Sequence, residues 1–436
     1  MSVLIPEIVG VLGVIGLLSM LALGLPIGIA LILVAVIGLS ALISPEAALI
    51  KLGVIGFDTI SRYELGVLPL FVLMAHLCFA AGASRDFFDV AAKFVGHRRG
   101  GLAIASIGGC AGFGAISGSS LATVATVTAV ALPEMRKANY APSFATGALA
   151  AGGTLGSLVP PSGALIVFGI VAEQSIGKLF AAAIIPGITQ ALFYIIAISV
   201  LCRINPSLGP RTVRVPWRER GAALVQVIDV LALIVFVIGG LFIGWFTPTE
   251  AASVGSVAAL LLCWWRGRLS VTGVRGALDA TLRTTGMIYL VIIGALLFAT
   301  FVSVTGIAAW LAHGVISLHA SPILAIVAMA VALLVLGSFL DGIALMLLTT
   351  PIFLPIIHDL GMSPIWFGIF LVRTMEIGFV HPPLGLNVYV IQEIAKDIPL
   401  ATIFRGIVPF LVVDFLHLAL LIAVPAVALW LPRMLG

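Results

Sequence analysis

Charge is scarce in this sequence. Of 436 residues, 22 are Lys or Arg and 18 are Asp or Glu, so 40 positions, 9% of the chain, carry a formal charge. A soluble domain carries roughly 25%. Hydrophobic residues reach 61% and the mean hydropathy is +1.26. So few charges cannot cover a water-facing surface, and a soluble globule of this length cannot hide so much apolar area. Disorder is excluded on the same ground. Cysteine is also sparse: Cys78, Cys110, Cys202 and Cys263 lie in or beside apolar runs and none forms CxxC. That argues against a disulfide framework or a cysteine zinc site and leaves them as packing residues. Strand-like alternation is missing, which excludes an outer-membrane barrel. No basic stretch precedes the first apolar run, so no cleaved signal peptide is expected. The patterns G-x-x-x-x-G-K-[ST], H-E-x-x-H and G-x-S-x-G are absent. ATP therefore does not drive the chain directly, and no enzyme motif is present.

What is there is a polytopic, all-α membrane protein, with apolar runs long enough for helices of about 20 residues. Apolar runs cover 8–23, 26–43 and 65–81, with a mixed stretch at 44–64. Arg85, Lys93, Arg98 and Arg99 form a basic loop. The run 101–132 is interrupted by GFGAISGSS at 112–120, and 144–171 by GGTLGSLVPPSG at 152–163. After the run 179–201 come Arg203, Arg211, Arg214, Arg218 and Arg220, then spans at 222–245 and 251–265. A further basic loop holds Arg266, Arg268, Arg275 and Arg283 and precedes the span 285–311. The run 322–354 is interrupted by GSFLDG at 337–342, 364–390 by EIGFVHPPLGLN at 376–387, and 406–431 closes the chain. Basic loops collect on the cytoplasmic side. With 85–99, 136–137, 203–220 and 266–283 inside, the segment 101–132 starts and ends inside, as a re-entrant hairpin does. By the same count 322–354 starts and ends outside, so two hairpins enter from opposite faces. Basic residues confined to loops beside spans give no nucleic-acid signal, despite a net charge of +4.

An internal repeat supports this layout. At one offset, 355 − 133 = 222, Pro133 falls on Pro355, Pro142 on Pro364, Gly156 on Gly378, Pro160-Pro161 on Pro382-Pro383 and Gly163 on Gly385. The hairpin tips, Ser119 and Asp341, superpose as well. These residues punctuate helices. With the two copies oppositely oriented, the pattern is an inverted-topology repeat, the mark of a secondary transporter with its site between the repeats. The expected organisation is N-terminal scaffold helices at 1–84 and a first repeat at 85–201, with hairpin 101–132 and broken helix 144–171. Scaffold helices and basic cytoplasmic loops follow at 202–284. A second repeat spans 285–400, with hairpin 322–354 and broken helix 364–390, and a C-terminal scaffold helix occupies 401–436.

The interruptions expose backbone polar groups at membrane depth, which is tolerated only where protein or a water-filled cavity satisfies them. Half-helix N-termini favour anions and unwound carbonyls favour cations, so paired interruptions suggest two related cation sites with an anionic substrate nearby. The first tip offers Ser117, Ser119, Ser120 and Thr123, hard oxygen ligands suited to Na+ or, more plainly, helix-packing hydroxyls. Gly152-Gly153-Thr154 faces them. Asp341, Glu376 and Asn387 populate the second tip and broken helix, and carboxylates within apolar spans are functional candidates. Asp341 otherwise sits in water or pairs with Arg373. Glu376 either pairs with Arg373, three residues earlier, or ligates. Arg373 is either that partner or a carboxylate-binding group. His381 is a substrate donor, a proton-sensitive group or a packing residue. His76, Asp414 and His417 have no nameable partner and read as structural or interfacial.

At this point the residues resemble a known family. GAISGSSLAT (114–123), PEMRK (133–137) with Tyr140, GGTLGSLVPPSG (152–163), PLF (69–71), Pro186-Gly187, FTPTEAA (246–252) and the stretch 337–390 are similar to the large membrane subunit of TRAP transporters, the DctM-like family, in its unfused form. Two positions depart from the usual pattern: His381 stands where members often carry Thr, and Thr374 where many carry Asn. The resemblance implies a Na+-coupled, binding-protein-dependent importer of organic acids in the bacterial inner membrane, working as an elevator. It implies three partners besides the lipid bilayer: a small four-helix membrane subunit as a separate chain, a periplasmic substrate-binding protein and the organic-acid substrate. Ser117, Ser119, Ser120, Gly153 and Thr154 are then expected at one Na+ site. Asp341, Gly378 and Asn387 are expected at its mate, and Thr123, Ser162, Arg373, Glu376, His381 and Pro382 at the substrate. The rival readings are a stand-alone H+-coupled carboxylate transporter relaying through Asp341, Glu376 and His381, a membrane enzyme acting on lipid, and a passive channel.

Overall fold

The computed structural model describes residues 6–307, 322–338, 340 and 342–435. Every regular element among them is helical: nineteen α-helices and two short 3₁₀ turns, Tyr63–Gly66 and Thr154–Gly156. Six of the helices are long and apolar enough to cross a membrane: Tyr63–Ala80 (with its 3₁₀ start), Ile176–Ile204, Trp217–Ile243, Val271–Thr305, Gly342–Asp359 and Leu400–Ala423. Many large apolar side chains are left outside, including Phe57, Trp265 and Leu282. That is the reverse of a soluble surface and suits contact with lipid tails. The four cysteines are free and buried, as packing residues are.

The offset read from punctuation also holds for whole elements. The helix Ser120–Lys137 shifted by 222 falls on Gly342–Asp359, and Pro142, which opens one broken segment, falls on Pro364, which opens the other. The long helix Ile176–Ile204 corresponds to Leu400–Ala423. Both double prolines have cis peptide bonds. The tips obey local rules. In the first hairpin, Gly118 ends the helix Gly101–Ser117 in the left-handed region (φ +58°), and Ser119 accepts from the Ala122 N–H to cap the return helix. In the first break, Pro160-Pro161 cannot continue a helix. Ser162 caps the new one, Gly163–Val171.

Two stretches differ from the charge-based reading, and the mixed stretch resolves into a helix. The basic stretch 85–99 is mostly a helix, Ala83–Val95. Its Ser84, Phe87 and Phe88 are buried, and the charges lie on the other face. The mixed stretch 44–64 contains the helix Pro45–Ser61, capped by the Ser44 hydroxyl. The basic stretch 266–283 is helical from Val271 onward, so Arg275 and Arg283 extend the membrane helix Val271–Thr305 rather than a loop.

The broken segments form the centre. Every residue from Phe144 to Gly153, and from Trp366 to Gly378, is buried. Leu400–Ala423 packs along Pro142–Gly153 with backbone against backbone. A Cβ on Gly406 would lie 1.8 Å from the Ser143 carbonyl oxygen, and one on Gly147 would lie 2.2 Å from the Gly406 oxygen. At the basic end, Arg266 gathers three segments. It donates to Asp86 at 2.5 Å, to Asp229 at 2.5 and 2.8 Å, and to the Ala81 carbonyl at 3.1 Å. Only 12% of its side chain is exposed. Arg266→Ala leaves two carboxylates facing each other with no cation between. Its expected cost is about 3 kcal/mol, the low end for breaking a buried pair, read as a lower unfolding midpoint of the purified chain in detergent.

Candidate functional site

The centre of the molecule is where the two repeats interlock. The first hairpin tip rests on the first break, with no room between. A Cβ on Gly156 would lie 2.5 Å from Thr123 Oγ1 and 2.6 Å from the Ser119 carbonyl oxygen. A Cβ on Gly118 would lie 2.7 Å from the Pro161 oxygen, and the Gly163 N–H donates to the Gly118 carbonyl at 3.2 Å. In the second repeat Gly378 plays the part of Gly156: its Cβ would lie 2.9 Å from the backbone of Gly337. Glycines at these paired positions let a hairpin and a break meet backbone to backbone.

The hydroxyls of the first tip have distinct duties. Ser117 Oγ is 2.9 Å from Thr123 Oγ1. Ser119 caps its helix. Ser120 points across to the other repeat and donates to Glu376 Oε2 at 2.6 Å. Ser157, which sequence reasoning missed, completes this group. Its Oγ is 3.0 Å from Ser120 Oγ and accepts from the Ser120 N–H at 3.2 Å. Ser162 Oγ donates to the Ser157 carbonyl at 2.5 Å and accepts from the Leu165 N–H, a capping duty. From the second repeat Asn387 Nδ2 reaches the Ala150 carbonyl at 3.4 Å and lies beside Gly153. Glu376 and Asn387 are both fully buried. Glu376 Oε1 and Asn387 Oδ1 have no donor among the described residues.

Arg373 does not pair with Glu376. Its Nη2 donates to Asp414 Oδ1 at 2.6 Å, and both side chains are buried. The same oxygen accepts from Tyr194 Oη at 2.5 Å and from Gln190 Nε2 at 2.9 Å. Tyr194 Oη in turn lies 2.9 Å from Thr154 Oγ1, so the Thr154 side chain faces the long helix. His417 Nε2 is 2.9 Å from Thr189 Oγ1. A lone aspartate in an apolar run has to find a partner, and that was the available signal for Asp414. Tyr194 and Gln190, four apart on one helix face, gave none. The buried side chains Arg373, Glu376 and Asp414 carry one positive and two negative formal charges, a sum of −1.

His381 Nδ1 has no hydrogen-bond partner among the described residues. The His381 ring is edge-on to Phe415 at 6.4 Å, and Pro382 is exposed, whereas Pro160 and Pro161 are buried. Thr374 donates to the Phe370 carbonyl within its own helix. Asp341 lies outside the described residues. No group of three or more His, Cys, Asp or Glu side chains that could hold a metal ion occurs among the described residues. The oxygens present are hydroxyl, carboxylate, amide and carbonyl, a hard set.

Comparisons with known proteins agree with this arrangement. The family model described as "Tripartite ATP-independent periplasmic transporter, DctM component" matches residues 14–427. The chain is 36% identical over 381 residues to a C4-dicarboxylate TRAP transporter large permease protein of Pseudomonas aeruginosa, covering 87% of this chain and 88% of that one. It is 34% identical over 421 residues to a sialic acid TRAP transporter large permease protein of Vibrio cholerae serotype O1, covering 96% and 97%. Among solved structures, the YdaH transporter of Alcanivorax borkumensis is similar in fold, with a TM-score of 0.56 at 15% identity over 86% of this chain and 89% of that one.

The paired glycines give a direct test. Gly156→Ala and Gly378→Ala each push a hairpin off its break and are expected to cost about 1–3 kcal/mol, the range for overpacking. Gly276→Ala, where a Cβ meets nothing within 4 Å, is expected to be neutral or stabilising by up to about 1 kcal/mol. Unfolding midpoints of the three variants measure the contrast.

Proposed function

The chain belongs to the DctM family of tripartite ATP-independent periplasmic transporters, as a multi-pass membrane permease, and from that premise we propose that it imports an organic acid by Na+ symport. The observation that carries the Na+ reading is the pair of buried acceptors without donors among the described residues, Glu376 Oε1 and Asn387 Oδ1, in a centre whose described charges sum to −1. Buried anionic oxygen left unpaired is costly, and a bound cation relieves the cost. The oxygens belong to the class Na+ prefers. Ser117, Ser119, Ser120, Gly153 and Thr154 form one cation group in this reading, and Asp341, Gly378 and Asn387 form the other. Glu376, bonded to Ser120, stands between them. The acid binds beside them, with Thr123, Ser162, Arg373, His381 and Pro382 as its candidate neighbours. Arg373 keeps Nε and Nη1 without partners among the described residues, two donors that suit a carboxylate.

The relatives' printed substrates, a C4-dicarboxylate and sialic acid, support a carboxylate as cargo. The family's tripartite description supports a periplasmic binding protein that delivers the acid and a small membrane subunit that completes the permease. Both hairpins and the breaks they touch form one inner body in this reading. It moves as an elevator against the helices of 1–84 and 202–284. A second reading rests on the same Glu376 oxygen, which a proton satisfies as well as a cation does. H+ then drives the cycle through Asp341, Glu376 and His381.

Thermal unfolding of the purified chain in Na+ against K+ or choline, at matched ionic strength, separates the two. A ligand that binds only the folded state stabilises it by about 2.7 kcal/mol at a hundredfold excess over its dissociation constant. The expected result is a Na+-specific rise that shrinks in Asp341→Ala and in Glu376→Gln, with Na+-driven uptake abolished in Asp341→Ala. A strong pH dependence with no preference for Na+ establishes the H+ reading instead.

A further inference from the structure

The hydroxyl chain behind the first break carries an inference that rests on the reading of Thr154 as a cation ligand. Thr154 lies in the first repeat and Tyr194 on the long helix that follows it. Arg373 comes from the second repeat and Asp414 from the C-terminal helix Leu400–Ala423. Three short contacts link them: Thr154 Oγ1 to the Ala151 carbonyl at 2.7 Å, Thr154 Oγ1 to Tyr194 Oη at 2.9 Å, and Tyr194 Oη to Asp414 Oδ1 at 2.5 Å. Two hydroxyls bring only two protons to these three contacts. Asp414 Oδ1 already accepts from Arg373 Nη2 at 2.6 Å and from Gln190 Nε2 at 2.9 Å, so this oxygen acts as an acceptor toward Tyr194 as well. Tyr194 therefore gives its proton to Asp414. Thr154 gives its own to Ala151 or to Tyr194, and no donor among the described residues reaches the Thr154 oxygen. Its lone pairs stay open.

We propose that the Arg373–Asp414 pair is a positioning element for the first cation group, holding the Tyr194 hydroxyl turned away so that Thr154 keeps its oxygen free to ligate. Without the pull of Asp414, the Tyr194 hydroxyl turns round, donates to Thr154 and occupies the lone pair a cation needs. The first cation group is thus under the control of Arg373 in the second repeat and Asp414 in the C-terminal helix.

The test is a reversal. Neutralising both charges together, as Arg373→Gln with Asp414→Asn, avoids a lone buried charge while removing the pull. The Na+ concentration that half-stabilises the purified chain is expected to rise about tenfold, the equivalent of one lost ligand interaction. Adding Tyr194→Phe removes the hydroxyl that turned round and returns the midpoint to within about threefold of the parent chain. A purely structural network makes the triple variant worse than the double one, and that outcome overturns the proposal. So does a double variant whose Na+ midpoint is unchanged. If the double variant does not fold, Tyr194→Phe alone decides. It leaves Thr154 uncapped and shifts the midpoint by less than about threefold, whereas a tenfold loss refutes the inference. A parent chain with no Na+-specific stabilisation refutes the Na+ reading itself, which is a separate failure.

Discussion

An interrupted helix at membrane depth leaves N–H and C=O groups that lipid cannot satisfy, and this structure is organised around that obligation. Each break is roofed by a hairpin, and the roof must come close enough for backbone to serve backbone. Gly156 and Gly378 permit that approach, and Gly118 supplies the left-handed turn over Pro161. Ser119, Ser157 and Ser162 then take up the remaining donors and acceptors locally. The apolar outer helices complete the arrangement by keeping lipid away from the centre.

Polar atoms gathered for this purpose create a second demand. Ser120 reaches Glu376, Asn387 reaches Ala150, and Tyr194 reaches Asp414, so each repeat is completed by the other. The interlock leaves buried oxygens in excess over donors. In the proposed Na+ reading, a stable fold and an appetite for a positively charged ligand thus have one origin. The arrangement is poised, because its electrostatics are incomplete without something that can also leave.

The sequence made the repeat, the hairpins and the breaks legible because they rest on local punctuation. Pro142 and Pro364, the double prolines, and Gly156 with Gly378 all act within a few residues of their own position. What stayed hidden depends on distance. Asp414 was visible as an anomaly but its partner, 41 residues away, was not. Arg373 had a nearer carboxylate at Glu376, and only the packing of Leu400–Ala423 decides between them. Thr154 was read as facing the hairpin, yet its side chain turns to Tyr194 while the neighbouring glycines make the hairpin contact. The stretches 85–99 and 266–283 read as loops because charge density was weighed above the helical spacing of Phe87, Phe88 and their neighbours. Asp341, the most exposed inference from sequence, lies outside the described residues.

The crossing of Gly147 and Gly406 has a mechanical consequence. Most helix pairs are separated by side chains that hop between rotamers and cushion relative movement. Here the Ser143 carbonyl sits where a Cβ on Gly406 would be, so no such cushion exists. The helices Pro142–Gly153 and Leu400–Ala423 are in direct gear. Asp414, on Leu400–Ala423, in turn holds Arg373 in the second broken segment, so one helix joins both breaks.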